Sequence, residues 1–91
     1  MRLRAKVDDN QANIVAALRR IGCEVLSLAA VGQGCPDLLV QRNGKLYLLE
    51  IKDGNKSASR QKLTPDQIEF HSHWQVTVVT TTAEAILAVQ K

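Results

Sequence analysis

The dipeptide Asn43-Gly44, between two apolar segments, constrains the fold more than any other feature of the sequence. Both central positions of a type I′ turn need positive φ, which asparagine and glycine adopt at low cost. The sequence therefore predicts a β-hairpin whose strands are residues 37–42 and 45–52. Counting back from the turn, with Arg42 opposite Lys45, places Asp37 opposite Glu50.

Capping signals predict three helices around this hairpin. Asp8 as N-cap with Gln11 at N3 begins the first helix, which ends at Gly22 after an apolar face with helical spacing. Thr64-Pro65-Asp66-Gln67 begins a second helix, which runs to Trp74 with Phe70 and Trp74 on its inner face. Thr81 and Glu84 begin a third, and residues 23–28 and 76–80 form two more strands. The order αβββαβα predicts a mixed β-sheet flanked by helices.

Length and composition limit the protein to one small domain, residues 1–91. No apolar run is long enough to cross a membrane, and no hydrophobic region follows the basic N-terminus as in a secretion signal. Cys23 and Cys35 are too few for a disulfide framework, so we expect two reduced thiols in the cytoplasm. One Phe, one Trp and one Tyr give a thin core, which favours a homodimer.

Charged side chains end the second hairpin strand. Alternation places Leu46, Leu48, Glu50 and Lys52 on one face, and the two apolar residues predict that this face is covered. Asp37 and Glu50 opposite each other would repel by about 4 kcal/mol at ~4 Å and an effective dielectric near 20. A raised pKa, Lys52 or a divalent cation could offset this repulsion, and oxygen ligands suit Mg²⁺ or Mn²⁺. The alternative is a plain ion-pair cluster on a solvated sheet face.

These residues form a pattern with a known counterpart. Gly34-x-Pro36-Asp37, Glu50-Ile51-Lys52 and Leu63-Thr64-Pro65-x-Gln67 together resemble the PD-(D/E)XK nuclease superfamily. Over nearly its whole length the chain is similar to the small VRR-NUC domains of phages and prophages. The resemblance implies an α/β, restriction-endonuclease-like fold and metal-dependent hydrolysis of DNA phosphodiesters. It also implies branched DNA, such as four-way junctions or flaps, as substrate.

The resemblance implies a role for each residue of the site. Asp37, Glu50 and the Ile51 carbonyl would hold Mg²⁺ or Mn²⁺, and Lys52 would act on the attacking water or the phosphate. Gln67 would line the site, or would serve the capping box alone. Gln11 stands where the family usually has Glu, so either Gln11 orients a metal-bound water or Asp8 or Asp9 supplies the charge.

The excess positive charge lies beside this site. Residues 52–62 carry a net charge of +3, equal to that of the whole chain. Lys56, Arg60 and Lys62 are therefore candidates for holding a DNA backbone without sequence preference. An alternative function is a DNA-binding or assembly module that keeps the fold without turnover, which the neutral Gln11 favours.

Overall fold

A computed structural model describes residues 10–55 and 62–91. Three helices and four strands form in these ranges, and their order is the predicted αβββαβα. The elements are α1 Gln11–Arg20, β1 Glu24–Ser27, β2 Leu38–Arg42, β3 Lys45–Ile51, α2 Pro65–His73, β4 Val76–Val79 and α3 Thr82–Ala88.

The four strands form one mixed sheet in the order β1-β2-β3-β4. β1 and β3 are antiparallel to β2, whereas β3 and β4 are parallel, with α2 in the connection between them. Asn43 and Gly44 have φ values of 52° and 79°, and Arg42 pairs with Lys45. The predicted hairpin register is therefore confirmed up to the Leu38–Leu49 pair.

α1 and α3 cover one face of the sheet and form the hydrophobic core with it. α1 contacts α3 and β1, and α3 contacts β4. Ile14 and Leu18, one turn apart on α1, are fully buried. Burying a side chain of this kind stabilises the fold by about 1.5–3 kcal/mol. The sheet contributes Leu38, Val40, Leu49, Ile51 and Val79, and α3 contributes Ala85 and Ala88.

The opposite face of the sheet is only partly covered. Leu46 is 65% exposed and Leu48 is half-buried, so the prediction of a covered face is wrong at the hairpin end of β3. Trp74 is 57% exposed, so its predicted place on an inner helix face is also wrong. It stacks on the half-buried Phe70, with ring centroids 5.5 Å apart. Burial on this face is concentrated at its other end, around Glu50.

The start of α1 differs from the prediction. Asn10 is the N-cap and Gln11 is the first helical residue, so placing Gln11 at N3 was wrong; Asp8 lies outside the described residues. The Asn10 side chain donates to the carbonyls of Thr80 (2.9 Å) and Lys52 (3.4 Å) instead of capping its own helix. These bonds hold the start of α1 against the chain just after β3 and β4.

The other capping predictions are confirmed. Thr64 and Gln67 form a reciprocal capping box at the start of α2, with Pro65 in the first turn. The Thr81 hydroxyl accepts a hydrogen bond from the Glu84 amide at the start of α3. Both caps satisfy helix N–H groups that have no partner within the helix.

Two further sequence predictions concern the thiols and the membrane. Cys23 and Cys35 are both free, as expected. Among the described residues, no helix combines the length and apolar character needed to cross a membrane.

Candidate functional site

Asp37 connects the loop after β1 to the carboxyl end of β3. It immediately precedes β2, and its Oδ2 accepts a hydrogen bond of 2.7 Å from the Ile51 amide. Bonds between a carboxylate and a backbone N–H are shorter and stronger than neutral ones. This bond fixes the Asp37 carboxylate beside the peptide that follows Glu50, as the hairpin register predicts.

Glu50 and Lys52 are both buried, at 2% and 8% exposure. The Lys52 Nζ lies 3.8 Å from Glu50 Oε2, so the two charges form a loose ion pair. Burying such charges is costly unless they are paired and hydrogen-bonded. Gln67 meets this need: its Nε2 donates to Glu50 Oε2, and its Oε1 accepts from Lys52 Nζ, both at 3.0 Å.

Gln67 therefore forms the predicted capping box and also contacts both buried charges. Its Oε1 also accepts a hydrogen bond from the Thr64 backbone amide at 2.9 Å, and the Gln67 backbone amide donates to Thr64 Oγ1 at 3.2 Å. One side chain caps α2 and joins the carboxylate to the ammonium group. The position of the buried charges is thus coupled to the first turn of α2.

Gln11 is buried at the start of α1, close in the chain to the Asn10 contacts with Lys52 and Thr80. Its Oε1 has no hydrogen-bond partner among the described residues. A buried amide oxygen without a partner costs free energy unless a ligand or water satisfies it. Asp8 and Asp9, the alternative sources of charge, lie outside the described residues.

The structure describes one of the three predicted basic DNA contacts. Lys62 is exposed, two residues before the cap of α2. Lys56 and Arg60 lie outside the described residues.

Two side chains beside the site were not assigned a role from the sequence. Burial raises the pKa of the half-buried Cys35 thiol, and the charges of Glu50 and Asp37 raise it further. Burial lowers the pKa of His71, and the positive charge of Lys52 lowers it further. The spacing of four between Gln67 and His71 was a usable signal, because such residues share a helix face.

The donor set suits a hard divalent cation. The Asp37 carboxylate is bonded to the backbone of the residue that follows Glu50, and Mg²⁺ is usually bound by one or two carboxylates with water filling other positions. Within residues 10–55 and 62–91, no group of three or more His, Cys, Asp and Glu side chains could hold an ion. Among the described residues, a third protein ligand would therefore be a neutral oxygen, and the buried Gln11 Oε1 is of that type; Asp8 and Asp9 lie outside that part of the chain.

The element order and the mixed sheet define a restriction-endonuclease-like fold, in its VRR-NUC form. A solved structure of a VRR-NUC domain superposes with a TM-score of 0.63 at 23% sequence identity. The match covers 91% of this chain and 97% of that one. The sequence itself matches the family described as archaeal Holliday junction resolvase (Hjc) over residues 3–91, so the chain belongs to this family. No curated protein matches the chain.

Proposed function

We propose that this protein is a metal-dependent endonuclease that hydrolyses phosphodiester bonds in branched DNA, with four-way junctions and flaps as preferred substrates. The family membership and the VRR-NUC fold support a nuclease. The observation that carries the proposal is the juxtaposition of Asp37, Glu50 and Lys52 at the carboxyl end of β3. A buried carboxylate and a buried ammonium group that share one glutamine are difficult to explain as a plain ion-pair cluster on a solvated sheet face.

Each residue has a distinct task in this proposal. Asp37 and Glu50, with the Ile51 carbonyl, would hold Mg²⁺ or Mn²⁺, and Gln11 would orient a water at that site. When bound, the cation lowers the pKa of a coordinated water and polarises the scissile phosphate. Lys52 donates to the attacking water or to a phosphate oxygen, where it offsets the developing negative charge.

Gln67 acts as a holding group for these charges. It keeps the Lys52 ammonium and the Glu50 carboxylate within hydrogen-bond distance of one amide. Preorganised polar groups of this kind need little rearrangement during reaction. The DNA backbone would be held by Lys62, with Lys56 and Arg60 as further contacts.

We propose that the protein acts as a homodimer in the cytoplasm. Leu26 and Leu46 are 58% and 65% exposed on the open face of the sheet, and the half-buried Leu39 and Leu48 lie between them. A contiguous apolar patch marks an interaction surface, and a second copy would cover it symmetrically. Two sites related by a two-fold axis also suit a four-way junction.

The proposed location in the cytoplasm is consistent with the two thiols. Cys23 and Cys35 are both free, and thiols stay reduced in that compartment.

A cleavage assay tests the proposed activity. Labelled four-way junction, 5′ flap, duplex and single-stranded DNA are incubated with the protein in Mg²⁺, Mn²⁺ or EDTA. Lys52→Ala should abolish cleavage. Lys45→Ala, which removes an exposed lysine from the opposite end of the same strand, should not.

The outcomes separate the two candidate functions. Metal-dependent cleavage of branched DNA that Lys52→Ala loses and Lys45→Ala keeps would support the nuclease. Tight binding of the junction without cleavage in either metal would contradict it and favour a non-catalytic DNA-binding module.

A further inference from the structure

Two glycines in the loop between β1 and β2 share a backbone conformation but not an environment. Gly32 and Gly34 have φ values of 74° and 78°, a region that side chains rarely adopt. A Cβ built on Gly32 would meet nothing within 4 Å. A Cβ built on Gly34 would overlap the Asp66 carbonyl and lie 2.9 Å from the Gln67 nitrogen.

Gly34 thus lets the loop backbone approach the first turn of α2 more closely than any other residue type would allow. That turn contains Gln67, whose side chain contacts Glu50 and Lys52. The loop in turn leads to Asp37, three residues after Gly34. The contact therefore joins the two chain segments that bring Asp37 and Gln67 to the site.

Hydrogen bonds and burial fix the part of the loop that contains Gly34. Pro36 is fully buried, and the Leu28 amide donates to the Asp37 carbonyl at 2.8 Å. The Cys35 amide donates to the Gly32 carbonyl at 3.1 Å, which closes the turn that contains Gly34. None of the nine residues of α2 is fully buried. A methyl group at position 34 would therefore force this part of the loop and the first turn of α2 apart.

We propose that Gly34 is a positioning residue: it fixes the position of the first turn of α2 and so places the Gln67 side-chain amide between Glu50 and Lys52. Its effect on cleavage rests on the proposed function, whereas its effect on the position of Gln67 does not. Gly34 itself touches neither of the buried charges in this scheme. It acts through Gln67.

The test compares Gly34→Ala with Gly32→Ala, because both variants force alanine into the same region of φ and only the first meets backbone atoms. Two-dimensional ¹⁵N NMR follows the Gln67 side-chain amide and the Ile51 backbone amide. Gly34→Ala should shift the Gln67 resonances and Gly32→Ala should leave them in place. In the unaltered protein we expect an NOE between the Gly34 α-protons and the Gln67 backbone amide proton. This measurement does not depend on whether Gly34→Ala folds.

Kinetics on the junction substrate then separate positioning from general destabilisation. Gly34→Ala should lower kcat by about 10- to 100-fold, with little change in KM, since a misplacement near 1 Å has effects of this size. Gly32→Ala should keep the kcat of the unaltered protein. The double variant Gly34→Ala/Gln67→Ala should be no slower than Gln67→Ala alone, because both changes would remove the same contribution.

Three results would overturn the proposal: no NOE between Gly34 and Gln67, unshifted Gln67 resonances in a folded Gly34→Ala variant, or fully additive losses in the double variant. A wrong assignment of the nuclease function would give a different result. In that case the unaltered protein cleaves no DNA, while the NMR comparison still decides the role of Gly34.

Discussion

Replacing Gln67 with leucine is the most informative single change, because it keeps the side-chain volume close and removes the bridge between two buried charges. The bonds lost are those to Glu50 Oε2, Lys52 Nζ and the Thr64 amide. A net hydrogen bond to a charged group contributes about 1.5–3 kcal/mol, and a neutral one about 1 kcal/mol. The sum is an upper bound, because Lys52 and Glu50, 3.8 Å apart, can close on each other.

We therefore expect Gln67→Leu to lower the free energy of unfolding by about 3 kcal/mol, less than the roughly 4–7 kcal/mol that the separate bonds would give. This is a large fraction of the roughly 5–14 kcal/mol expected for a chain of this length. The midpoint of thermal unfolding should fall by roughly 12–24 °C. Urea unfolding followed by far-UV circular dichroism measures the change, with an unaltered m-value as the sign that the unfolded state is the same.

Thr64→Ala is the matched control for this change. It removes the hydroxyl that accepts from the Gln67 backbone amide, but it keeps the Thr64 backbone amide and the Gln67 side chain. The expected loss is about 1 kcal/mol, the usual contribution of an N-cap. If Gln67→Leu were no more destabilising than Thr64→Ala, the bridge between the charges would contribute nothing and the reasoning would be refuted.

Three further predictions concern the metal, the pH dependence and the assembly. Mg²⁺ or Mn²⁺ should raise the melting temperature, since a ligand that binds only the folded state stabilises it, and Asp37→Asn should abolish that rise; an equal rise in the variant would remove Asp37 from the proposed ligands. The pKa of His71 is lower in the folded protein than its value of 6.5 in the unfolded chain, so the unfolded chain takes up a proton first and stability should fall as pH drops below 6.5. His71→Gln should lessen that loss in urea titrations. A pH profile of stability equal to that of the unaltered protein would contradict the assignment. Leu46→Glu on the open sheet face should convert a dimer to a monomer in sedimentation velocity, and a monomeric parent protein would refute the dimer.

Much of the local structure could be predicted from the sequence because its signals act over a few residues. Asn43-Gly44 set the hairpin register, and the register in turn brought Asp37 to the end of β3. Thr64 and Gln67 set the start of α2 in the same way. The start of α1 was misplaced because Asn10 bonds to Thr80 and Lys52, which are distant in the chain. A capping pattern carries no information about such partners.

By itself, then, the sequence determined the order of elements and the strand pairing of the hairpin, and it supplied the candidate residues for the proposed chemistry. Tertiary structure decided which face of the sheet is covered, because alternation distinguishes two faces but does not say where α1 and α3 pack. It also decided that Gln67 joins Glu50 to Lys52 and that Gly34 meets the backbone of α2. These contacts join segments far apart in the chain, so their geometry exists only once the whole domain has packed.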